Sequence, residues 1–354
     1  MSESTEAEPW PLRRLMTEVV GSGHKSADDM NRQQAREAFD RILDGTPEQT
    51  TLGAFWLANR WKRNTPEELA AFVDVMRERS VETAAPDADP VDCGANYDGK
   101  HSTALLGVAS GLVAAAAGTP VVVHSGDRTP TQKEDAYKHV LDELGVRTDL
   151  SPAESADMVD AVGFGFYYQP NFNAEIADLF DRRDEMGVRT FVNTVETLAN
   201  PSDASVHLGS FYHLAFAKRM TETLQTCESQ TFDRIVFFQG QEGYDDVRPG
   251  ETTVAAWTPA EGLSDFKIET AEYGMDFESE DLEVDDIAAD SADITEAVLA
   301  GERTGKFADA VALNAALRIY ARGDADSVES GLAAARESMD SGDPAERLAA
   351  LQSF

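Results

Sequence analysis

The sequence contains few of the residue types on which several protein classes depend. Its two cysteines, Cys93 and Cys227, are too few for a disulfide framework, and no Cys/His spacing is typical of a zinc site. Positive charge is also scarce, with 30 Lys and Arg against 65 Asp and Glu. Because nucleic-acid backbones are bound by clustered basic side chains, this deficit argues against a nucleic-acid partner. The segment MSESTEAEPW lacks the basic and apolar regions of a secretory signal, so we expect a cytoplasmic protein with reduced cysteines.

The acidic residues are spread over the whole chain. The net charge is −35, the isoelectric point is about 4.3, and only 8 of the basic residues are lysine. In molar salt the Debye length falls to about 3 Å, so this much repulsion is screened almost at contact. The composition therefore predicts a halophilic source, and an acidic protein from an ordinary cell remains the alternative.

One apolar stretch, residues 104–123, is long enough to be considered as a membrane span. It contains Ser110, Thr119 and Pro120, and it divides into a helix at 104–117, a turn at 118–120 and a strand at 121–123. We therefore expect no membrane segment.

The pattern of apolar residues predicts an α/β protein with a small all-helical N-terminal domain. Helix start signals occur at Thr46-Pro47-Glu48-Gln49 and Thr65-Pro66-Glu67-Glu68. The segment 80–90 has the composition of a linker, so we place a helical domain at 1–86, joined by helices from about 172–200, and an α/β domain at 87–354.

Strands and helices alternate after the linker, which predicts a mainly parallel central sheet flanked by helices. Ligands collect at the carboxyl ends of the strands in such sheets. The predicted strands are 91–94, 121–124, 162–166, 190–192 and 234–239. The predicted helices are 104–117, 131–144, 173–186, 212–225, 309–322 and 328–338, with strands and acidic loops at 252–289.

Three junctions between a strand and the following loop could carry chemistry. In DCGANYDGKHST, residues 92–103, the glycines permit tight turns and Ser102-Thr103 precede a helix, which suits either an anion site or a structural turn. In VVVHSGDRTPTQKE, His124, Asp127 and Arg128 follow a buried strand and could bind phosphate or carboxylate, although a lone histidine there is often structural.

The third junction is RIVFFQGQEGYDDVRPG, residues 234–250. Adjacent carboxylates at the ligand end of a sheet suit Mg²⁺, which takes few protein oxygens and completes its shell with water and phosphate. A chance pair is the alternative in a chain with 65 acids.

Taken in order, these segments resemble the anthranilate phosphoribosyltransferases and, more broadly, the transferases that share the nucleoside-phosphorylase-like fold. The resemblance runs from about residue 30 to the C-terminus. It is carried by the following stretches: GTPEQTTLGAFWLANRWKRNTPEELAAFVDVMRE, FYYQPNFNAEIADLFDRRDEMGVRTFVNTVETLANP, FDRIVFFQGQEGYDDVRPG and GERTGKFADAVALNAALRIYARGDADSVESGLAAARESMDSG.

The resemblance implies roles for particular residues. It implies that Asp245 and Asp246 bind Mg²⁺ on the pyrophosphate of phosphoribosyl pyrophosphate, that Arg128 adds catalytic positive charge, and that Arg183 receives the acceptor's carboxylate. The remaining substrate-binding residues that it implies are Gly94, Asp98, Ser102, Thr103, His124, Asp127 and Gln169.

The chain also departs from the family pattern within these motifs. Asn96 and Tyr97 replace two glycines of the phosphate loop, Val123 replaces a lysine, and Gln169 replaces a histidine. An inserted residue brings Asp127 to a place where the family has an uncharged amide, and Asp246 replaces a glutamate.

The resemblance implies transfer of a phosphoribosyl group to an amine or base acceptor, with Mg²⁺ as cofactor, in a homodimer formed through the N-terminal helices. In the family this reaction belongs to tryptophan biosynthesis. A nucleoside phosphorylase-like enzyme with another acceptor is one alternative. A non-catalytic ligand or nucleic-acid-binding member is the other, because a divergent branch of the family has also lost the glycine-rich loop.

Overall fold

The computed structural model describes residues 10–21, 23, 25–94 and 97–354, so Asn96 lies outside the described residues. Seven strands form one sheet in the order β3-β2-β1-β4-β5-β6-β7. Strands β1 to β5 are parallel, and β6 and β7 are antiparallel additions at one edge. The strands are β1 (Val91–Gly94), β2 (Val121–Ser125), β3 (Phe164–Tyr168), β4 (Val206–Phe211), β5 (Arg234–Gln239), β6 (Glu251–Thr258) and β7 (Gly262–Glu269).

The N-terminal part is helical, and local signals in the sequence explain where its helices begin. Asn31 and Thr65 each cap a helix through a reciprocal capping box, with Gln34 and Glu68 respectively, and Pro66 occupies the first turn after Thr65. These helices are α1 (Leu12–Leu15), which continues as a π-helical turn over Met16–Val20, α2 (Arg32–Leu43), α3 (Gln49–Lys62) and α4 (Pro66–Arg79).

Helices cover both faces of the sheet. They are α5 (Gly107–Ala116), α6 (Tyr137–Glu143), α7 (Pro152–Val162), α8 (Gln169–Phe172), α9 (Ala174–Ala177), α10 (Phe180–Met186), α11 (Val192–Val195), α12 (Leu214–Thr226), α13 (Ile287–Leu299), α14 (Lys306–Arg322), α15 (Val328–Ser341) and α16 (Asp343–Ser353). Short 3₁₀ turns lie at Glu196–Leu198, Gln241–Gly243, Thr270–Tyr273 and Ser279–Leu282.

Two hydrophobic cores result, one on each face of the sheet. Val121 and Val123 point into the core that contains α5 and α14, whereas Val122 points into the core that contains α2 to α4 and α12. Phe191 stacks on Phe72 with ring centroids 4.2 Å apart, so the segment before α11 packs on the N-terminal helices.

The predicted fold class is confirmed, since a small helical part joins a larger α/β part with a mostly parallel sheet. The predicted strand at 190–192 is wrong, because Val192 begins helix α11 and Thr190 lies in the preceding loop. No helix of the described residues is both long and apolar enough to cross a membrane. The boundary between residues 86 and 87 stays a prediction.

Candidate active site

The loops after β1 and β5 meet above the carboxyl end of the sheet. Gly94 ends β1 at a point of close approach, because a Cβ there would lie 2.2 Å from the Thr197 carbonyl oxygen. The turn that follows, residues 97–103, contacts the loop 241–246. This meeting place contains most of the residues that the first and third junctions contributed to the predicted site.

A set of donors in the 97–103 turn binds the side chain of Glu242. Its carboxylate accepts hydrogen bonds from the backbone N–H groups of His101 (3.0 Å) and Thr103 (2.8 Å) and from the hydroxyls of Ser102 (3.0 Å) and Thr103 (2.7 Å). Burial raises the pKa of Glu242, but these hydrogen bonds outweigh it and hold the pKa below its usual value. Residues 101–103 therefore form an anion cradle, which here holds a carboxylate of the same chain.

Glu242 reaches the cradle from an unusual backbone conformation. Its φ is +56°, in the left-handed region that residues other than glycine rarely adopt. The hydrogen bonds from the cradle must offset this conformational cost. The backbone conformation of Glu242 and the binding of its carboxylate in the cradle therefore depend on each other.

The two aspartates of the third junction are completely buried, and each has a cationic partner. Lys100 Nζ lies 2.5 Å from Asp246 Oδ2, and Arg318 NH2 lies 3.2 Å from Asp245 Oδ2. The Tyr137 hydroxyl also donates a hydrogen bond to Asp245. The pair is therefore neutralised by basic side chains from the β1 loop and from α14.

This arrangement does not fit a resident Mg²⁺ ion. The Oδ1 atoms of Asp245 and Asp246 have no hydrogen-bond partner among the described residues, which leaves some coordinating capacity. However, both side chains are shielded from solvent, and Lys100 and Arg318 already supply their positive charge, so a divalent cation with its water ligands would have to displace them. Within the described residues, no group of three or more His, Cys, Asp or Glu side chains could hold a metal ion.

Tyr97 fills the space beneath the turn. Its hydroxyl is hydrogen-bonded to His124 Nδ1, and the two rings meet edge-on with centroids 5.5 Å apart. His124 Nε2 lies 3.2 Å from one oxygen of Asp92, and His207 Nδ1 lies 2.8 Å from the other. His124 thus belongs to a fully buried polar group that links β1, β2 and β4.

Two cavities adjoin these groups. The first, about 440 Å³, is lined by Gly94, Asp98 and Glu242 together with residues from α3, α11 and β4. Asp98 is paired there with Arg189, at 2.8 Å. The second cavity, also about 440 Å³, is lined by Asp127, Arg128, Thr129, Pro130, His139, Gln169, Pro170, Ile176, Ala177, Phe180 and Arg183.

Comparison with known proteins assigns the chain to a family. Residues 92–345 match the model described as the α/β domain of a glycosyl transferase family, and residues 20–80 match the helical bundle domain of the same family. The chain is 30% identical to the anthranilate phosphoribosyltransferase of Natronomonas pharaonis, over 92% of this chain and 96% of that one. The chain belongs to the anthranilate phosphoribosyltransferase family.

Further proteins named anthranilate phosphoribosyltransferase are similar to the chain in sequence or in fold. The Methylobacterium radiotolerans enzyme of the same name is 32% identical over 88% of this chain and 89% of its own. The crystal structure of the Thermus thermophilus enzyme covers 92% of this chain and 96% of its own with a TM-score of 0.79 and 25% identity. The Saccharomyces cerevisiae enzyme in complex with PRPP and Mg shares the fold, with a TM-score of 0.75 and 18% identity over 90% of this chain and 91% of its own.

Eight of the eleven predicted site residues fall into three places in this chain, and the other three, His124, Asp245 and Asp246, are buried. Gly94 and Asp98 line the first cavity, Ser102 and Thr103 form the cradle, and Asp127, Arg128, Gln169 and Arg183 line the second cavity. Arg128 pairs with Asp135 at 2.6 Å, while Asp245 and Asp246 pair with Arg318 and Lys100. Their roles toward a ligand stay predictions.

The sequence did not predict the charged residues that form ion pairs or hydrogen bonds with the predicted site residues. They are Lys100, Glu196, Glu242 and Arg318. Signals for two of them were present, since Lys100 and Glu242 lie inside the junctions already singled out, and Glu196 is the one charge in the apolar run FVNTVETLA. Arg318 could not be placed, because only the packing of α14 on the sheet brings it to Asp245.

Proposed function

We propose that the chain transfers a phosphoribosyl group from phosphoribosyl pyrophosphate to an amine or base acceptor. The observation that carries the proposal is the anion cradle at residues 101–103, which lies beyond β1 and already binds a carboxylate through four hydrogen bonds. Backbone N–H and hydroxyl groups arranged in this way suit phosphate oxygens as well. The relatives named anthranilate phosphoribosyltransferase support the same reaction class.

Substrate binding in this proposal requires Glu242 to leave the cradle. The diphosphate then takes over the donors of His101, Ser102 and Thr103, and the loop 241–243 relaxes from its left-handed conformation. The reaction needs no protein nucleophile, so the chain contributes by positioning the two substrates and by stabilising the charge of the leaving diphosphate.

A calorimetric titration of pyrophosphate and of phosphoribosyl pyrophosphate in molar KCl tests the proposal. Glu242→Gln removes the competing charge and keeps the shape of the side chain, so we expect affinity to rise by about tenfold or more. Glu251→Gln, an exposed glutamate paired with Lys267, is the matched control and should leave affinity unchanged. Absence of heat with both the wild type and Glu242→Gln at millimolar ligand would refute the proposal.

Mg²⁺ use is the finer prediction from the family. A relative's structure in complex with PRPP and Mg supports it, whereas the cationic partners of Asp245 and Asp246 oppose it. The same titrations with Mg²⁺ and with EDTA decide between the two, because a metal-dependent site loses its heat of binding in EDTA.

A binding function without catalysis is the second candidate. It is favoured by the cradle that the chain itself occupies and by Tyr97, which fills the space below the turn. Release of pyrophosphate from phosphoribosyl pyrophosphate by the Glu242→Gln variant, in the presence of an acceptor, would exclude this candidate.

We also propose a homodimer formed through the N-terminal helices, in a halophilic cytoplasm. Trp61 is 79% exposed on α3, and Leu57 and Val188 beside it are also exposed. Large apolar side chains that cluster on a surface commonly mark an interface. The net charge of −35 supports the molar-salt environment.

A further inference from the structure

The side chain of Arg183 forms a closed ion pair beside the second cavity. Its two terminal nitrogens donate to the two carboxylate oxygens of Glu196, at 2.9 and 2.6 Å, and both residues are buried. This two-pronged geometry is the one in which a guanidinium would bind the carboxylate of a ligand. Glu196 therefore supplies from within the chain the group that an aromatic acid would bring.

Gln169 extends this pair toward the cavity. Its Nε2 donates a hydrogen bond to Glu196 Oε2 at 2.8 Å. This hydrogen bond fixes the orientation of the Gln169 amide, and the amide oxygen takes no part in it. Arg183 Nε is buried and has no hydrogen-bond partner among the described residues. Gln169 and Arg183 both line the cavity, and Glu196 holds both side chains in place.

The other charges around this cavity do not favour an anion. Arg128 pairs with Asp135, and the Asp127 carboxylate accepts a hydrogen bond from the Tyr168 hydroxyl at 2.6 Å. With Arg183 neutralised by Glu196, the lining has no unpaired cation among these residues. A buried ligand carboxylate would therefore lose its hydration without gaining a counter-ion.

We propose that Glu196 is a specificity-determining residue that excludes aromatic carboxylates, and that the acceptor is an uncharged heterocyclic base or amide with an N–H group. The N–H donates to the Gln169 amide oxygen. This inference rests on the proposed phosphoribosyl transfer, and it places the acceptor in the second cavity.

Anthranilate and its uncharged analogue 2-aminobenzamide form a matched pair of probes, because they differ only in carboxylate against carboxamide. Calorimetric titration of the wild type in molar KCl should show binding of 2-aminobenzamide about tenfold or more tighter than that of anthranilate. Glu196→Gln frees the Arg183 charge and should reverse the preference. Glu185→Gln, an exposed acid on α10, changes the total charge equally and should leave the preference as in the wild type.

A readout of stability separates a role in specificity from a purely structural one. Glu196→Gln leaves Arg183 buried without a counter-ion, so its melting temperature should fall and should recover in anthranilate but not in 2-aminobenzamide. A structural role predicts the fall without the selective recovery. The double variant Glu196→Gln, Arg183→Gln should lose the recovery.

Three outcomes would overturn the inference. They are wild-type binding of anthranilate at least as tight as that of the amide, an unchanged preference in Glu196→Gln, and failure of both probes to bind any variant. The pyrophosphate titration of Glu242→Gln is independent of these probes. If pyrophosphate fails to bind while Glu196→Gln still reverses the preference between anthranilate and 2-aminobenzamide, the transferase proposal is refuted. The role of Glu196 in specificity would then still stand.

Discussion

Lys100 illustrates how a single basic side chain neutralises one of the two buried aspartates. Its ammonium group is buried, lies 2.5 Å from Asp246 and also donates to the carbonyl oxygen of Ala104 at 2.8 Å. A buried carboxylate that loses its only close cation becomes strongly destabilising.

We therefore expect Lys100→Ala to lower the free energy of unfolding by about 3–5 kcal/mol. Added Mg²⁺ should restore part of this loss in Lys100→Ala and have little effect on the wild type, because only the variant leaves Asp246 without its ion-pair partner. Urea unfolding in molar KCl measures both effects. Lys267→Ala, which breaks an exposed pair with Glu251, is the control and should cost at most about 1 kcal/mol. Equal stabilisation of the wild type by Mg²⁺ would contradict this account.

Asp92 gives a prediction about pH at the same scale. Burial raises its pKa, but the contacts to His124 and His207 outweigh burial, so the pKa lies well below the usual 3.8. A carboxyl group with a depressed pKa stabilises the folded state above its unfolded-state pKa, and this contribution is lost as the pH falls.

The difference in unfolding free energy between wild type and Asp92→Asn should consequently be about 3 kcal/mol or more at neutral pH and shrink below about pH 4. Denaturant unfolding as a function of pH measures it. Asp178→Asn, an exposed site, should give a small difference at every pH. A difference for Asp92→Asn that grows in acid would show that the histidine contacts do not stabilise the carboxylate.

At the scale of elements, the end of β1 is a tightly constrained point of the site. A Cβ on Gly94 would lie 2.2 Å from the Thr197 carbonyl oxygen and 2.6 Å from the His207 ring. Gly94→Ala should therefore lower the free energy of unfolding by about 2–4 kcal/mol, because β1 or the segment after α11 must shift.

The control for this prediction is Gly23→Ala. A Cβ there meets no atom of the described residues within 4 Å, so its effect on the melting temperature should be small. Thermal unfolding of both variants gives the comparison, and similar melting temperatures would mean that the close approach at Gly94 is easily relieved.

Elements with strong local signals could be predicted from the sequence, and those defined by long-range contacts could not. Thr65 begins its helix as predicted, and the apolar runs of β2 and β5 form central strands. The start signal predicted at Thr46 lies ahead of α3, whose N-cap is Glu48. Strand β4 was missed because His207 and Gly209 interrupt its apolar pattern, and only the Asp92 contact explains a buried histidine there. The turn after β1 was predicted over residues 92–103, but the helix expected from residue 104 begins at Gly107. The binding of Glu242 by this turn could not be predicted, because it depends on a residue 139 positions away from Thr103.

At the scale of the whole molecule, the exposed apolar cluster on α3 predicts the oligomeric state. Trp61→Glu places a charge at the centre of this cluster, so the variant should sediment as a monomer where the wild type is a dimer, in molar KCl. Leu263→Glu, an exposed apolar position on β7, is the matched control and should remain dimeric. A monomeric wild type, or a dimeric Trp61→Glu, would exclude this interface.

The carboxylate of Glu242 is tethered to the cradle that it fills, and this has a consequence for how the protein responds to its surroundings. A tethered group competes at an effective concentration in the millimolar range or above, whatever the amount of protein present. Phosphate compounds bind only to molecules in which Glu242 has left the cradle. Their apparent affinity is therefore the affinity for this open form multiplied by the fraction of molecules that are open. Glu242 thereby sets a threshold, because anions that are scarce or bind weakly leave the loop closed.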